Sequence, residues 1–540
     1  MLDLIQVIKA SKGMPVRDLV SKLAGDKTSL PVIYGWHADP SVTDPAQAVT
    51  YLENAVGKTP AAMGASTFSY GGWARAFFMP KPCMLRYDGT VAYYLDPDDY
   101  SKKADGTASD VANASFEGNA MMEWPLIWYK FVPGEADGEG SFYCSDHQAD
   151  ESYKCWCSTD PEGEIKPHFY TSIYNGTGTS CTRSLSGQLL DNGNGVQPTS
   201  AATENSRAAA NNKGSAPIWS TELWCDRVLI NALLVLIGKS LDTQAVFGSG
   251  LTDNADISLL RTGALDQAGL FAGDVSGGSS FVKVFGMENW WGGLYHRPLG
   301  LIGGTDNTFR CKLTYGTSDG SEAVGYNLTG SGYISSGAQP DGTSVDSEIS
   351  AMAFGTFGML PSGCTESQDF DTCYADTFRS SRRTYQLQQG GWGGGIGSVP
   401  EVYGSESEYY PIRVCVPDMI YLDPGESVSV STTGQGIMVA VGVCDPATNI
   451  KSSDSGWQQQ PYTFTAPASG SKLCLVFRNS ANTAVSVSDV GAVILDRTEP
   501  AVSLIGGTAN RGSQDGAFSL LMTVSKDSAW TTARGLACKP

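Results

Sequence analysis

Cys144, His147, Cys155 and Cys157 lie close together and are of the residue types that bind zinc through sulfur and imidazole nitrogen. Their spacing argues against such a site. Structural zinc sites separate paired cysteines by two to four residues, and Cys155 and Cys157 have one residue between them. They read as ordinary thiols in a loop-rich stretch. Asp96, Asp98 and Glu123 are carboxylates of the kind that share acid and nucleophile roles in glycoside hydrolysis, a role that depends on their separation in space. Gln339 and Asp341, within GAQPDGTS, offer oxygens that suit calcium, but Pro-Asp-Gly is also common turn chemistry. The four histidines, His37, His147, His168 and His296, fall in no nucleophile or metal motif. His296, beside Arg297, is expected to be a core or loop hydrogen-bonder. The expectation is therefore a protein that is not an enzyme, with no metal and no cofactor.

Positioning any such group takes a folded frame, and the composition supports one. The chain has 540 residues, 41% hydrophobic and 17% charged, with 63 glycines and 10% aromatics. That composition describes a loop-rich, β-leaning globular protein of two to four domains. A net charge of −20 would repel a phosphate backbone, so nucleic acid is not an expected partner. The longest apolar run, Val228 to Ile237, is interrupted by Asn231 and is too short to cross a bilayer, so no membrane insertion is expected. Met1 is followed by Asp3 with no cationic start and apolar stretch, so synthesis in a cytoplasm without a secretory signal is expected. The 13 cysteines show no repeated spacing and form no small-secreted disulfide framework.

Residues 1–65 read as a helical attachment segment. In TDPAQAVTYLENAVG, Thr43 or Asp44 suits the N-cap, Pro45 the first helical position and Gly57 the terminator, with Ala48, Val49, Leu52 and Val56 as the apolar face. Strands are expected from about Phe68, with Asp88-Gly89 as a hairpin turn. A second helix, capped by Ser220 and ended by Gly238, is apolar nearly all round and should be buried. From 416 to 498, ESVSVSTT, GIMVAVGVC, YTFTA, SKLCLVFRN and TAVSVSDVGAVIL predict a compact β-sandwich. At the C-terminus, Phe518, Leu520 and Met522 alternate with Ser519, Leu521 and Thr523, which predicts a half-buried strand with one face inward.

VFGMENWWGGLYHRPLG, from Val284 to Gly300, resembles the core signature of the C-type-lectin-like fold found in formylglycine-generating-enzyme relatives and in phage variable receptor proteins. FEGNAMMEWPLIWYKF, YNGTGTSCTRSLSG, KLTYGTSDGSEAVGYNLTGSGYISSG and the ending GGTANRGSQDGAFSLLMTVSKDSAWTTARGLACKP are similar to the same phage tail proteins. The Gln339-Pro340-Asp341 triplet resembles the calcium-dependent triplet of true C-type lectins, without the downstream partner that completes it. The formylglycine oxidases need a reactive cysteine pair near the end of the fold, and only Cys538 falls there.

The resemblance implies an α+β protein with a lectin-like body at 66–415, the sandwich inserted at 416–498, and closing strands of the lectin fold at 499–540. GGWGGGIGS, Gly390 to Ser398, looks like a first version of the GGTANRGS turn. A duplicated closing element is thus the alternative to an insertion, and insertion is favoured because surface loop tips accept whole domains. The implied function is a tail-fibre or tail-tip adhesin of the phage virion, made in the bacterial cytoplasm, with 499–540 as a candidate variable region for diversification by a retroelement. It would bind a host-surface protein or glycan, contact other phage tail proteins and act as a homotrimer. The ligand-facing positions would be Thr508, Ala509, Arg511, Ser513, Gln514, Ser519, Leu521, Thr523, Asp527, Ala529 and Thr531. The alternatives from other classes are a structural virion protein, such as a head fibre or decoration protein, and a depolymerase.

Overall fold

The computed structural model describes residues 31–540 apart from 65–66, 191–199, 253–259, 279, 341–346, 366–370, 381–382, 405–411, 423–424, 468, 499, 508–515, 525–531 and 534. The chain is mostly β. Among the described residues the α-helices are Ala201–Ala209, Trp224–Gly238, Thr243–Phe247 and Val487–Val490. The expected α+β class with a helical N-terminal segment is thereby corrected.

The stretch from Thr43 to Gly57 shows why. Asp44 does cap a turn, its Oδ1 accepting from the amides of Ala46 and Gln47. The turn does not propagate, because Val49–Glu53 is a strand paired antiparallel with Ile33–Ala38, Val49 opposite Ala38 and Tyr51 opposite Trp36. Val49 and Tyr51 are buried while Thr50 is exposed, a period of two, and Val56 of the supposed apolar face is 66% exposed. A single capped turn offers one hydrogen bond against a costly nucleus, and pairing two aromatic-rich strands wins. The part of the predicted helical segment at 1–30 lies outside the described residues.

Two cores organise the rest. The larger runs from Trp36 to Ala537 and surrounds the helix Trp224–Gly238, all fifteen residues of which are buried. This helix is not capped by Ser220, which lies in the strand Trp219–Thr221. Its first amide is instead satisfied by the carbonyl of Leu299. The Asp88-Gly89 turn joins Lys81–Arg86 to Val91–Asp96. The smaller core is built from Tyr385 to Leu495 alone. Its strands begin at Arg383–Tyr385, so the Gly390 to Ser398 stretch belongs to a hairpin of this sandwich, Gln388–Gly393 with Glu401–Gly404. The chain leaves the larger core after Thr377–Arg379 and returns to it at Ala501–Ile505.

The C-terminal strands are interior members of both large sheets. Leu520–Val524 lies between Ala501–Ile505 and Thr377–Arg379 in a ten-stranded sheet. Leu536–Cys538 lies between Trp219–Thr221 and His168–Ser172 in a seven-stranded sheet.

Candidate functional site

The end of the chain is fastened from several sides. The amides of Gly516 and Phe518 donate to the two carboxylate oxygens of Asp376 at 2.6 and 3.0 Å. The Ala517 amide donates to Thr243 Oγ1, and its carbonyl accepts from Asn231 Nδ2 at 2.8 Å. A Cβ at Gly516 would stand 2.6 Å from Asp376 Oδ1, so the close approach requires glycine. Lys539 is buried; its ammonium donates to Asp226 and to the carbonyl of Cys157, and lies 4.6 Å over the Phe169 ring.

This frame corrects two of the predicted ligand-facing positions. Ser519 is fully buried, its Oγ 3.4 Å from Thr377 Oγ1, and Leu521 packs with Tyr295 and Leu504. Ser519, Leu520, Leu521 and Met522 are all buried, so neither set of the alternation faces solvent there, and alternation of residue types does not distinguish this case from a half-buried strand. Thr523 lies in the strand Leu520–Val524. Thr508, Ala509, Arg511, Ser513, Gln514, Asp527, Ala529 and Thr531 lie outside the described residues.

The signature stretch supports the same frame from beneath. The Gly292 amide donates to the carbonyl of Gly506 at 2.6 Å, and the indole of Trp290 donates to Asn231. Arg227 stacks on the Trp290 ring at 3.6 Å, donates to the Trp290 carbonyl and pairs with Glu222. His296 sets Nδ1 2.7 Å from Glu222 and Nε2 2.9 Å from the Asn289 carbonyl, so it is a core hydrogen-bonder. Burial works against the charge of Glu222, but Arg227 and His296 outweigh it and hold the carboxyl at about 2. Glu288 accepts from the amides of Gly263 and Leu265. Burial pushes its carboxyl up and the nearby Lys283 ammonium down. These groups are structural, because each is spent on a partner inside the core.

No protein-family profile matches this chain, and no curated protein matches it.

An open groove of about 530 Å³ is lined by Phe68, Tyr70, Asp98, Gln267 and Phe271 among others. Phe68 and Phe271 stack at 4.3 Å, and Tyr70 stands edge-on to both. Phe271 is braced by Phe247 and Phe285, and Phe247 by Trp291 of the signature. Asp98, exposed, and Gln267 supply polar groups among the lining residues, and Asp98 raises the Tyr70 hydroxyl further after burial has raised it. Rings held by a rigid core, with a carboxylate and an amide beside them, suit a ligand that has apolar faces and hydroxyl or amide groups. The aromatic texture that begins at Phe68 was the sequence's only signal for it.

The other candidates do not assemble. Glu123 is buried and accepts from the hydroxyls of Tyr94 and Tyr170, each at 2.9 Å, while Asp96 accepts from the Asp98 amide; Asp98 alone of the three lines the groove. Gln339 is buried, its side-chain amide donating to the Thr308 carbonyl, and Asp341 lies outside the described residues. His147 is exposed and leans on Asp146, away from the buried sulfurs. Among the described residues the one group of metal-type donors is Cys157, Cys225 and Asp226, and the Lys539 ammonium already bonds its carboxylate.

Proposed function

We propose that this chain is a phage virion adhesin, a tail-fibre or tail-tip receptor-binding protein, and that the aromatic groove takes a host-surface ligand. The observation that carries the reading is the groove itself: stacked rings, a carboxylate and an amide on a braced wall, open to solvent. A purely structural virion protein has no use for such a cleft. The resemblance of the tail-protein motifs supports the virion setting. Asp98 is the only carboxylic acid among the lining residues, and glycoside hydrolysis asks for two, which favours binding over catalysis. The fastening of the chain on both sides of 508–515 suits a segment whose residues vary while the frame holds. The same reading has the chain acting as a homotrimer, because linked weak sites gain overall affinity by about 10² to 10⁴.

The test is binding of the labelled full chain to a panel of bacterial cells, with a Tyr70→Ala, Asp98→Asn double variant beside it. Adsorption to some strains that falls at least tenfold in the variant supports the groove. Adsorption to none, or adsorption indifferent to the variant, overturns it.

A further inference from the structure

The sandwich carries a second recessed surface, distant in sequence from the groove. The inner face of its larger sheet buries Val439, Val441, Leu473, Leu475 and Phe477. The outer face of the same strands places Ala440 and Gly442 on Ile437–Cys444, and Cys474 and Val476 on Ser471–Asn479. These are small residues where a solvated sheet face ordinarily carries long polar ones. They form the floor of a trough of about 200 Å³.

The walls are two tryptophans. Trp392 is fixed by its indole N–H, which donates to the Val416 carbonyl at 2.7 Å. Trp457, opposite Ala440 on the neighbouring strand, lies against the guanidinium of Arg478 at 4.4 Å. Both are only partly covered. The tip of the hairpin that bears Trp392 reaches over the sheet and is tied to the far strand: Gly397 donates to the Lys451 carbonyl at 2.8 Å, and the Lys451 amide donates to the Ser398 carbonyl at 2.9 Å. The trough therefore has a constructed rim. Ile396, Val399 and Ile450, each within one residue of those bonds, are 70%, 52% and 40% exposed. The Lys451–Asp454 ion pair also lines the trough, with the Lys451 stem lying over Gly442.

We propose that this trough binds a pyranose unit of a glycan. A sugar ring has an apolar C–H face and a rim of hydroxyls that both donate and accept. Two indoles complement the face, while Asp454 accepts and Lys451 donates beside them. Gly442 keeps the floor low beneath the Lys451 stem, because a Cβ there would stand 3.1 Å from Lys451 Cε and 3.4 Å from Cys474 Cβ. The site lies outside the groove and stands whether or not the chain is a virion protein.

The test is a printed array of defined glycans, neutral and uronic-acid-bearing, probed with the labelled full chain. Retained sugars are then titrated in solution by tryptophan fluorescence. Retention of glycans that share a pyranose is expected, with the neutral and acidic arms showing whether Lys451 engages a hydroxyl or a carboxylate. Trp457→Ala should weaken binding at least tenfold. Lys451→Met, which leaves both tryptophans and most of the stem over Gly442 in place but removes the ammonium, should weaken it with an unchanged thermal melt. Tyr70→Ala in the groove should leave it untouched. Retention of no glycan, or retention indifferent to Trp457→Ala and Lys451→Met in folded variants, would each overturn the proposal.

Discussion

Replacing Lys539 by methionine should loosen the end of the chain far more than a terminal substitution normally does. The ammonium donates to Asp226 Oδ1, which also accepts from the Cys225 thiol, and to the Cys157 carbonyl at 2.5 Å. Asp226 is fully buried, and its Oδ2 has no hydrogen-bond partner among the described residues. Burial pushes this carboxyl above its usual range even with Lys539 beside it. Methionine keeps an unbranched stem but removes the ammonium, leaving the acid without its cation, which costs about 3–5 kcal/mol for a buried pair broken on one side. Hydrogen exchange of the Ala537 and Cys538 amides reads this locally, as a loss of protection of roughly two to four powers of ten at about 1.4 kcal/mol per tenfold. Amides of the sandwich, such as those of Val439 and Leu475, should be unchanged, because they belong to a separate core. Adding Asp226→Asn should return most of the protection, since a neutral pair carries no uncompensated charge. A Lys539→Met chain whose terminal amides stay within tenfold of the parent would refute the argument.

Three more outcomes follow from the same geometry. The Glu222 carboxyl is held at about 2 against an ordinary 4.5, so it stabilises the fold above pH 4.5 and that contribution is lost as pH falls toward 2. The larger core should lose about 2 kcal/mol from this group alone between pH 7 and pH 3, and urea titrations of the parent and Glu222→Gln at both pH values should show their stability difference shrinking by that amount. Gly516→Ala would press a methyl on Asp376 and should cost about 1–3 kcal/mol in the larger core with no change in the sandwich transition, seen by calorimetry. Replacing 383–497 by a flexible linker should leave the larger core folded. Thr377–Arg379 and Ala501–Ile505 flank the same strand, two spacings or about 10 Å apart across the sheet, so about six Gly and Ser residues bridge the ends; loss of the near-ultraviolet signal of the body would count against it.

What the sequence determined by itself were features carried by neighbours along the chain. The helix Trp224–Gly238 was legible because an apolar run on every side has only one stable setting, the interior. The Asp88-Gly89 hairpin and the strands Ser427–Thr432, Ile437–Cys444 and Ser471–Asn479 were legible because turn chemistry and β-branched alternation act over a few residues. Tertiary structure decided the rest, wherever two distant segments competed for one stretch. Asp44 began a turn as its type suggests, and pairing with Ile33–Ala38 overruled it. Ser519 and Leu521 belong to the set expected to face outward from a half-buried strand, yet both are buried, Leu521 against Tyr295 and Leu504. The groove joins Phe68 and Tyr70 to Asp98 and to Phe271, and the trough joins Trp392 to Trp457. No local pattern encodes such meetings, because what brings these side chains together is the burial of cores to which they themselves contribute only an edge.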